Sequence, residues 1–153
     1  MAQLQPGDDA PDFELLDQGE TPVRLSEFKG RKVLVYFYPK ADTPGCTAQS
    51  CGLRDVAGGV GDTAVLGISP DKPKALSRFD TKYGLGFPLL SDPDHAVAEA
   101  YGAWGEKSMY GRRYMGIIRS AFLIDENGTV SRAWYKVKPK DTATNLVAAL
   151  AEG

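Results

Sequence analysis

Two kinds of hydrophobic pattern alternate along the chain. Val33 to Tyr38 (Val-Leu-Val-Tyr-Phe-Tyr) is a continuous apolar, β-prone run, which predicts a central strand buried on both faces and ended by Pro39. Ala64 to Ile68 is a second buried-strand candidate. Between them, Thr43-Pro44 opens a helix that the pattern carries from Pro44 to Val56. Ala75, Leu76, Phe79 and Tyr83 fall at helical spacing and predict a helix over Asp71 to Tyr83, closed by Gly84 and Gly86. Asp92-Pro93 starts another, with Val97, Ala100 and Tyr101 on one face.

The remaining segments are shorter. Residues 1–12 are polar and turn-rich, Phe13 to Leu16 and Phe87 to Leu90 read as extended, and Ser26-Glu27-Phe28 as a brief helical turn. Residues 102–118 show no clear period. Ser120 to Ile124 and Thr129 to Val137 predict a hairpin around Asp125-Glu126-Asn127-Gly128, where Asn and Gly tolerate positive φ. Thr142 to Leu150 predicts a terminal helix. Strands alternating with helices and finishing in a hairpin and a helix give an α/β reading: a thioredoxin-like fold with a central mixed sheet. No internal repeat or linker divides the chain, so residues 1–153 are expected to form one domain.

Charge narrows the function classes. There are 18 Lys and Arg against 20 Asp and Glu, a net charge of −2, so no basic field draws nucleic acid or anionic lipid. No apolar run approaches the length of a membrane span, and the N-terminus lacks a secretory pattern, which makes the cytoplasm the expected location. The two cysteines, Cys46 and Cys51, are too few for a secreted disulfide scaffold and suggest redox chemistry or metal binding. A zinc site built from both cysteines and His95 would still lack a fourth ligand.

The informative stretch is Pro39-Lys-Ala-Asp-Thr43-Pro44-Gly-Cys46-Thr-Ala-Gln-Ser-Cys51. Thr43 is an N-cap residue, Pro44 suits the first helical position, and Cys46 falls at the third. The first helical turn offers unpaired N–H groups and the positive end of the helix dipole, which favour a thiolate over a thiol. A cysteine five residues further on lies about 8.6 Å away at Cα on an ideal helix, with its side chain about 140° around the axis. Disulfides need Cα atoms within about 7 Å. If Cys46 and Cys51 pair, the helix must therefore partly unwind. A disulfide oxidoreductase on the same fold would normally carry Cys-x-x-Cys, which is missing here. A non-enzymatic binding module is another reading.

Pro39-x-x-x-Thr43-x-x-Cys46, followed by Cys51, resembles the signature of the peroxiredoxin family, in its bacterioferritin comigratory protein (PrxQ) branch. Matches extend along the chain through Gly7-Asp-Asp-Ala-Pro-Asp-Phe13, Leu66-Gly-Ile-Ser-Pro-Asp71, Leu90-Ser-Asp-Pro-Asp94, Trp104-Gly-Glu-Lys107 and Arg119-Ser-Ala-Phe-Leu-Ile-Asp125. The resemblance implies a thiol peroxidase acting on hydrogen peroxide and organic hydroperoxides. Cys46 would be the nucleophile and become a sulfenic acid. Thr43 would hydrogen-bond in its pocket, Pro39 would shield that pocket from water, and Arg119 would stabilise the thiolate and polarise the peroxide. Cys51 would condense with the sulfenic acid to a disulfide, and thioredoxin or a similar dithiol would reduce it. No metal or organic cofactor is implied, and an internal disulfide suggests a monomer.

Two positions depart from the family pattern. Position 49 is Gln where many relatives carry Glu, which leaves the orientation of Arg119 open, and Ala121 stands where a hydroxyl residue is common. His95 reads as a surface or supporting residue. Trp104, Tyr110, Tyr114 and Met115 read equally as a pocket mouth or as packing, and Lys136-Val-Lys-Pro-Lys140 as a solvated strand end.

Overall fold

In a computed structural model of the chain, which describes residues 3–56 and 63–151, the apolar run becomes β3 (Val33–Phe37), fully buried and central. Its alternation feeds two cores. Leu34 and Tyr36 face a cluster with Leu53, Leu76, Phe79 and Leu146, while Val33, Val35 and Phe37 face one with Leu66, Ile68, Tyr101 and Phe122. A strand that buries both faces has no polar side to present, which is why its sequence is continuous rather than alternating.

Around it lies a seven-stranded mixed sheet in the order β2-β1-β5-β4-β3-β8-β9. The outer strands on one side are β1 (Glu14–Leu16) and β2 (Pro22–Arg24), an antiparallel pair. The inner strands β4 (Ala64–Ser69) and β5 (Leu89–Ser91) run parallel to β3. Strands β8 (Ser120–Ile124) and β9 (Val130–Trp134) run antiparallel on the other side. Among the described residues four α-helices flank the sheet: α1 (Pro44–Val56), α2 (Pro73–Tyr83), α3 (Ala96–Ala100) and α4 (Asp141–Ala151). Leu53 of α1 and Leu146 of α4 join the same apolar cluster as Leu34 and Tyr36, which sets these two helices on one face of β3. This is the thioredoxin-like arrangement the pattern predicted. Among the described residues no helix is long and apolar enough to cross a membrane.

Several local expectations change. The predicted helix at Asp92-Pro93 begins only at Ala96, because His95 adopts a left-handed conformation at φ 49°. Asp92 still caps it from a distance, accepting the N–H groups of Val97 at 3.3 Å and Ala98 at 3.0 Å. The helix expected from Asp71 starts at Pro73, and β9 stops at Trp134, short of Val137, with Lys136 at φ 53° soon after. In the β8–β9 turn only Gly128 takes positive φ, while Asp125 Oδ1 accepts the N–H groups of Asn127 and Thr129. The segment without a period, 102–118, contains a separate two-stranded ribbon, β6 (Trp104–Met109) and β7 (Arg112–Ile117), joined by Tyr110 and Gly111, both at positive φ. The turn expected at Ser26-Glu27-Phe28 is a 3-10 helix, Leu25–Phe28. Of the turn-rich first 12 residues, Met1 and Ala2 lie outside the described residues.

Candidate active site

The site forms where β3 ends and α1 begins. Pro39 stops the ladder just after Tyr38 and is half-buried, and the loop that follows is tied down from two sides. The Ala41 N–H donates to Asp71 Oδ2 at 2.7 Å, and the same oxygen accepts the Ser69 hydroxyl at 2.8 Å. Asp42, left-handed at φ 58°, accepts hydrogen bonds from Lys82 Nζ at 2.9 Å and Tyr83 Oη at 2.7 Å, both in the last turn of α2. Those two bonds, the Tyr83 one foremost, hold the Asp42 carboxyl below its usual range.

Thr43 then enters α1. Its carbonyl accepts the Thr47 N–H at 2.8 Å, which makes it the N-cap by position. Its hydroxyl donates back to the Lys40 carbonyl at 2.8 Å, closing the loop on itself. A hydroxyl whose hydrogen is engaged in one hydrogen bond keeps its lone pairs to accept another.

Cys46 sits in the first turn of the helix and is fully buried. Arg119 reaches it from the link between β7 and β8. Arg119 Nη2 donates to Cys46 Sγ at 3.3 Å, and Nη1 donates to Gln49 Oε1 at 2.6 Å. Gln49, itself buried, donates through Nε2 to Thr142 Oγ1 at 2.9 Å, in the first turn of α4. Gln49 thus supplies the carbonyl that orients Arg119, and the question that position 49 raised is resolved without an acid. Thr142 is a residue that sequence reasoning missed as part of this chain. Gly45 completes the fit: a Cβ there would stand 3.1 Å from Arg119 Nη2. Ala121 is buried in β8 opposite Tyr36, away from these bonds.

Cys51 lies on the same helix, half-buried against the core cluster that contains Cys46, and both cysteines are free thiols. The helix is intact between them. Ser50, the residue before Cys51, is fully buried and shares a 2.8 Å hydrogen bond with Tyr36 Oη of β3.

One other charged group acts on the site. Lys107 of β6 is half-buried, and its pKa is lowered by burial first and by the charge of Arg119 next, with the charge of Cys46 opposing. Its Nζ stands 6.0 Å from the Tyr114 ring across the ribbon. His95 belongs elsewhere: its ring stacks on Trp104 at 3.7 Å and its Nδ1 pairs with Glu99 at 2.9 Å. Tyr110 and Met115 project from the ribbon into solvent.

A buried thiol at a helix start, touched by one arm of a guanidinium whose other arm is fixed, can act as a nucleophile toward a small polar molecule entering beside the arginine. Comparison with known proteins agrees with that chemistry. Residues 6–133 match the model of the AhpC/TSA family. The peroxiredoxin Bcp of Escherichia coli K12 is 54% identical over 136 residues, covering 88% of this chain and 87% of the relative. A cysteine-to-serine mutant of PrxQ from Xylella fastidiosa superposes with a TM-score of 0.91 at 30% identity, covering 99% of this chain and 98% of that one. The Xanthomonas campestris bacterioferritin comigratory protein, whose structure is described in terms of alkyl peroxide reduction, gives a TM-score of 0.86 at 37% identity over 92% of this chain and 90% of that one.

Proposed function

The chain belongs to the AhpC/TSA family and is a peroxiredoxin, a thiol peroxidase, and from that premise we propose that Cys46 is its peroxide-attacking residue and Cys51 its resolving thiol. The Cys46 thiolate attacks the terminal oxygen of the hydroperoxide, the O–O bond breaks, and the alcohol or water leaves with a proton. Cys46 is left as a sulfenic acid. The Cys51 thiol attacks that sulfur, water leaves, and a Cys46–Cys51 disulfide forms. Thioredoxin or a similar dithiol then exchanges with the disulfide and restores both thiols.

The observation that carries this reading is the 3.3 Å contact from Arg119 Nη2 to the buried Sγ of Cys46. The guanidinium lies where it stabilises the thiolate and, once a peroxide is bound, the charge that develops on its oxygens. Thr43, with acceptor capacity left on its hydroxyl, accepts a hydrogen bond from the peroxide O–H. Pro39 closes the pocket against water from the β3 side.

The same reading covers hydrogen peroxide and organic hydroperoxides, the latter supported by the activity named for the Xanthomonas relative. It makes the protein a single domain over residues 1–153, cytoplasmic, and monomeric, since both cysteines lie in one chain. It needs no metal or organic cofactor, no nucleic acid and no membrane.

Single-turnover oxidation tests it. Reduced protein is mixed with one equivalent of hydrogen peroxide, followed by intact mass and alkylation. Rapid loss of two hydrogens with both thiols blocked is the expected result. Cys46→Ser abolishes peroxide consumption, and Cys51→Ser oxidises at the normal rate but stops at the sulfenic acid. Normal turnover with thioredoxin in Cys51→Ser would remove Cys51 from the scheme.

A further inference from the structure

Between the two cysteines on α1 lies one buried side-chain bond that the first oxidation does not use. Ser50 Oγ and Tyr36 Oη meet at 2.8 Å, and both residues are fully buried. Tyr36 stands on β3, the central strand, with its ring stacked on Tyr38 at 5.4 Å and set edge-on to Phe87 at 6.2 Å. It is therefore a fixed post. Burial pushes its phenol up foremost, with smaller upward contributions from the charges of Cys46 and Cys51, so it stays a neutral hydroxyl.

Ser50 immediately precedes Cys51. To bring Cys46 and Cys51 from about 8.6 Å to within about 7 Å at Cα, and to turn their side chains toward each other through about 140°, the helix must open between them, and an opening that frees Cys51 takes the adjoining Ser50 out of its helical position. That movement separates Ser50 from Tyr36. The buried phenol then has no partner until water reaches it, and an unmade buried hydrogen bond is costly.

We infer that Tyr36 and Ser50 form a latch on α1 that sets how fast the Cys46 sulfenic acid is resolved by Cys51. The inference rests on the assignment of Cys51 as the resolving thiol. Both residues act on the position of Cys51 and neither touches the peroxide. While the latch holds, the sulfenic acid waits in its pocket. A second hydroperoxide can then attack: the sulfenate sulfur takes one oxygen, the O–O bond breaks, and a sulfinate and an alcohol result. The latch thus divides each oxidised molecule between disulfide and over-oxidation.

Tyr36→Phe is the cleaner variant, because α1 keeps its own sequence, and Ser50→Ala is the second. Stopped-flow fluorescence separates the first oxidation from resolution, and mass spectrometry at excess peroxide gives the sulfinate fraction. The expected result is an unchanged first step, resolution faster by about threefold to tenfold in both variants, the factor for loss of one buried hydrogen bond, and a matching fall in sulfinate. A merely structural bond predicts lower thermal stability with resolution at the wild-type rate, and that result would overturn the latch. Slower resolution in both variants would overturn it too. A wild-type protein that forms no Cys46–Cys51 disulfide would overturn the assignment of Cys51 itself, and the latch with it, in a separate and visible way.

Discussion

Gln49 Oε1 accepts a 2.6 Å hydrogen bond from Arg119 Nη1, so the guanidinium that touches Cys46 is steered by the helix that carries the sulfur. Gln49→Ala leaves that N–H without its acceptor in a buried site. Hydrogen bonds to charged groups contribute about 1.5–3 kcal/mol, so Cys46 oxidation is expected to slow by roughly tenfold to a hundredfold. Gln49→Glu keeps an acceptor and restores most of the rate. Equal rates for wild type and Gln49→Ala in stopped-flow would show that Arg119 needs no such support.

The Asp42 bridge to α2 gives a pH signature. Its hydrogen bonds from Tyr83 and Lys82 depress the carboxyl pKa below that of the unfolded chain. A depressed carboxyl stabilises the fold above its unfolded pKa, about 3.9, and loses that contribution as pH falls through the lower folded value. Asp42→Asn is therefore expected to melt below wild type at neutral pH and to converge with it in acid below about pH 4. A melting difference that stays constant across this range would place the effect elsewhere.

Lys107 reports on the other side of the pocket. Burial and the charge of Arg119 lower its pKa, so between the folded and unfolded values the unfolded chain binds more protons and stability rises with pH. Lys107→Met removes that rise, and wild type is expected to gain on the variant as pH rises from the lowered folded value toward the unfolded one, about 10.4. The lost cation also slows alkylation of Cys46, severalfold at low salt and less at high salt. Parallel melting curves with unchanged alkylation would exclude Lys107 from the electrostatics of the site.

Gly67 lies beside Tyr36 in the parallel register of β3 and β4, and a Cβ there would stand 2.7 Å from Tyr36 Oη and 2.8 Å from its Cζ. The ring is packed on all sides and cannot yield cheaply. Gly67→Ala is expected to cost about 1–3 kcal/mol, the usual range for overpacking, read from the denaturant midpoint. A midpoint equal to wild type would mean the ring has room that its packing denies.

Local signals were legible where the chain decides locally. Thr43-Pro44 announced α1 and the apolar run announced β3, because a cap and a doubly buried strand each write themselves into a few neighbouring residues. The β6–β7 ribbon was not legible. It lies outside the main sheet, so neither face is uniformly apolar, and Lys107 and Tyr114 on one side or Glu106 and Met115 on the other give no alternation. Helix α3 was misplaced because its cap, Asp92, acts across five and six residues. At the site, the helix start explained why a cysteine belongs there, but Arg119 came only from the family pattern. Thr142 could not be read at all, since no local rule connects a residue of α4 to a glutamine of α1. Tyr36–Ser50 was hidden for another reason: the apolar run reads Tyr36 as a ring and says nothing of its hydroxyl.

Arg119 meets Cys46 across 73 residues of chain, and Thr142 meets Gln49 across 93. A ribosome delivers the cysteine long before either partner exists. The half-made protein therefore holds a thiol at a helix start without the guanidinium, and without the hydroxyl that keeps the glutamine in place. Only when β8 joins the sheet and α4 docks are these contacts complete, so on the proposed assignment of Cys46 maturation of the fold and onset of peroxidase chemistry are one event. A nascent chain is in this way poorly equipped to consume oxidant or to be damaged by it.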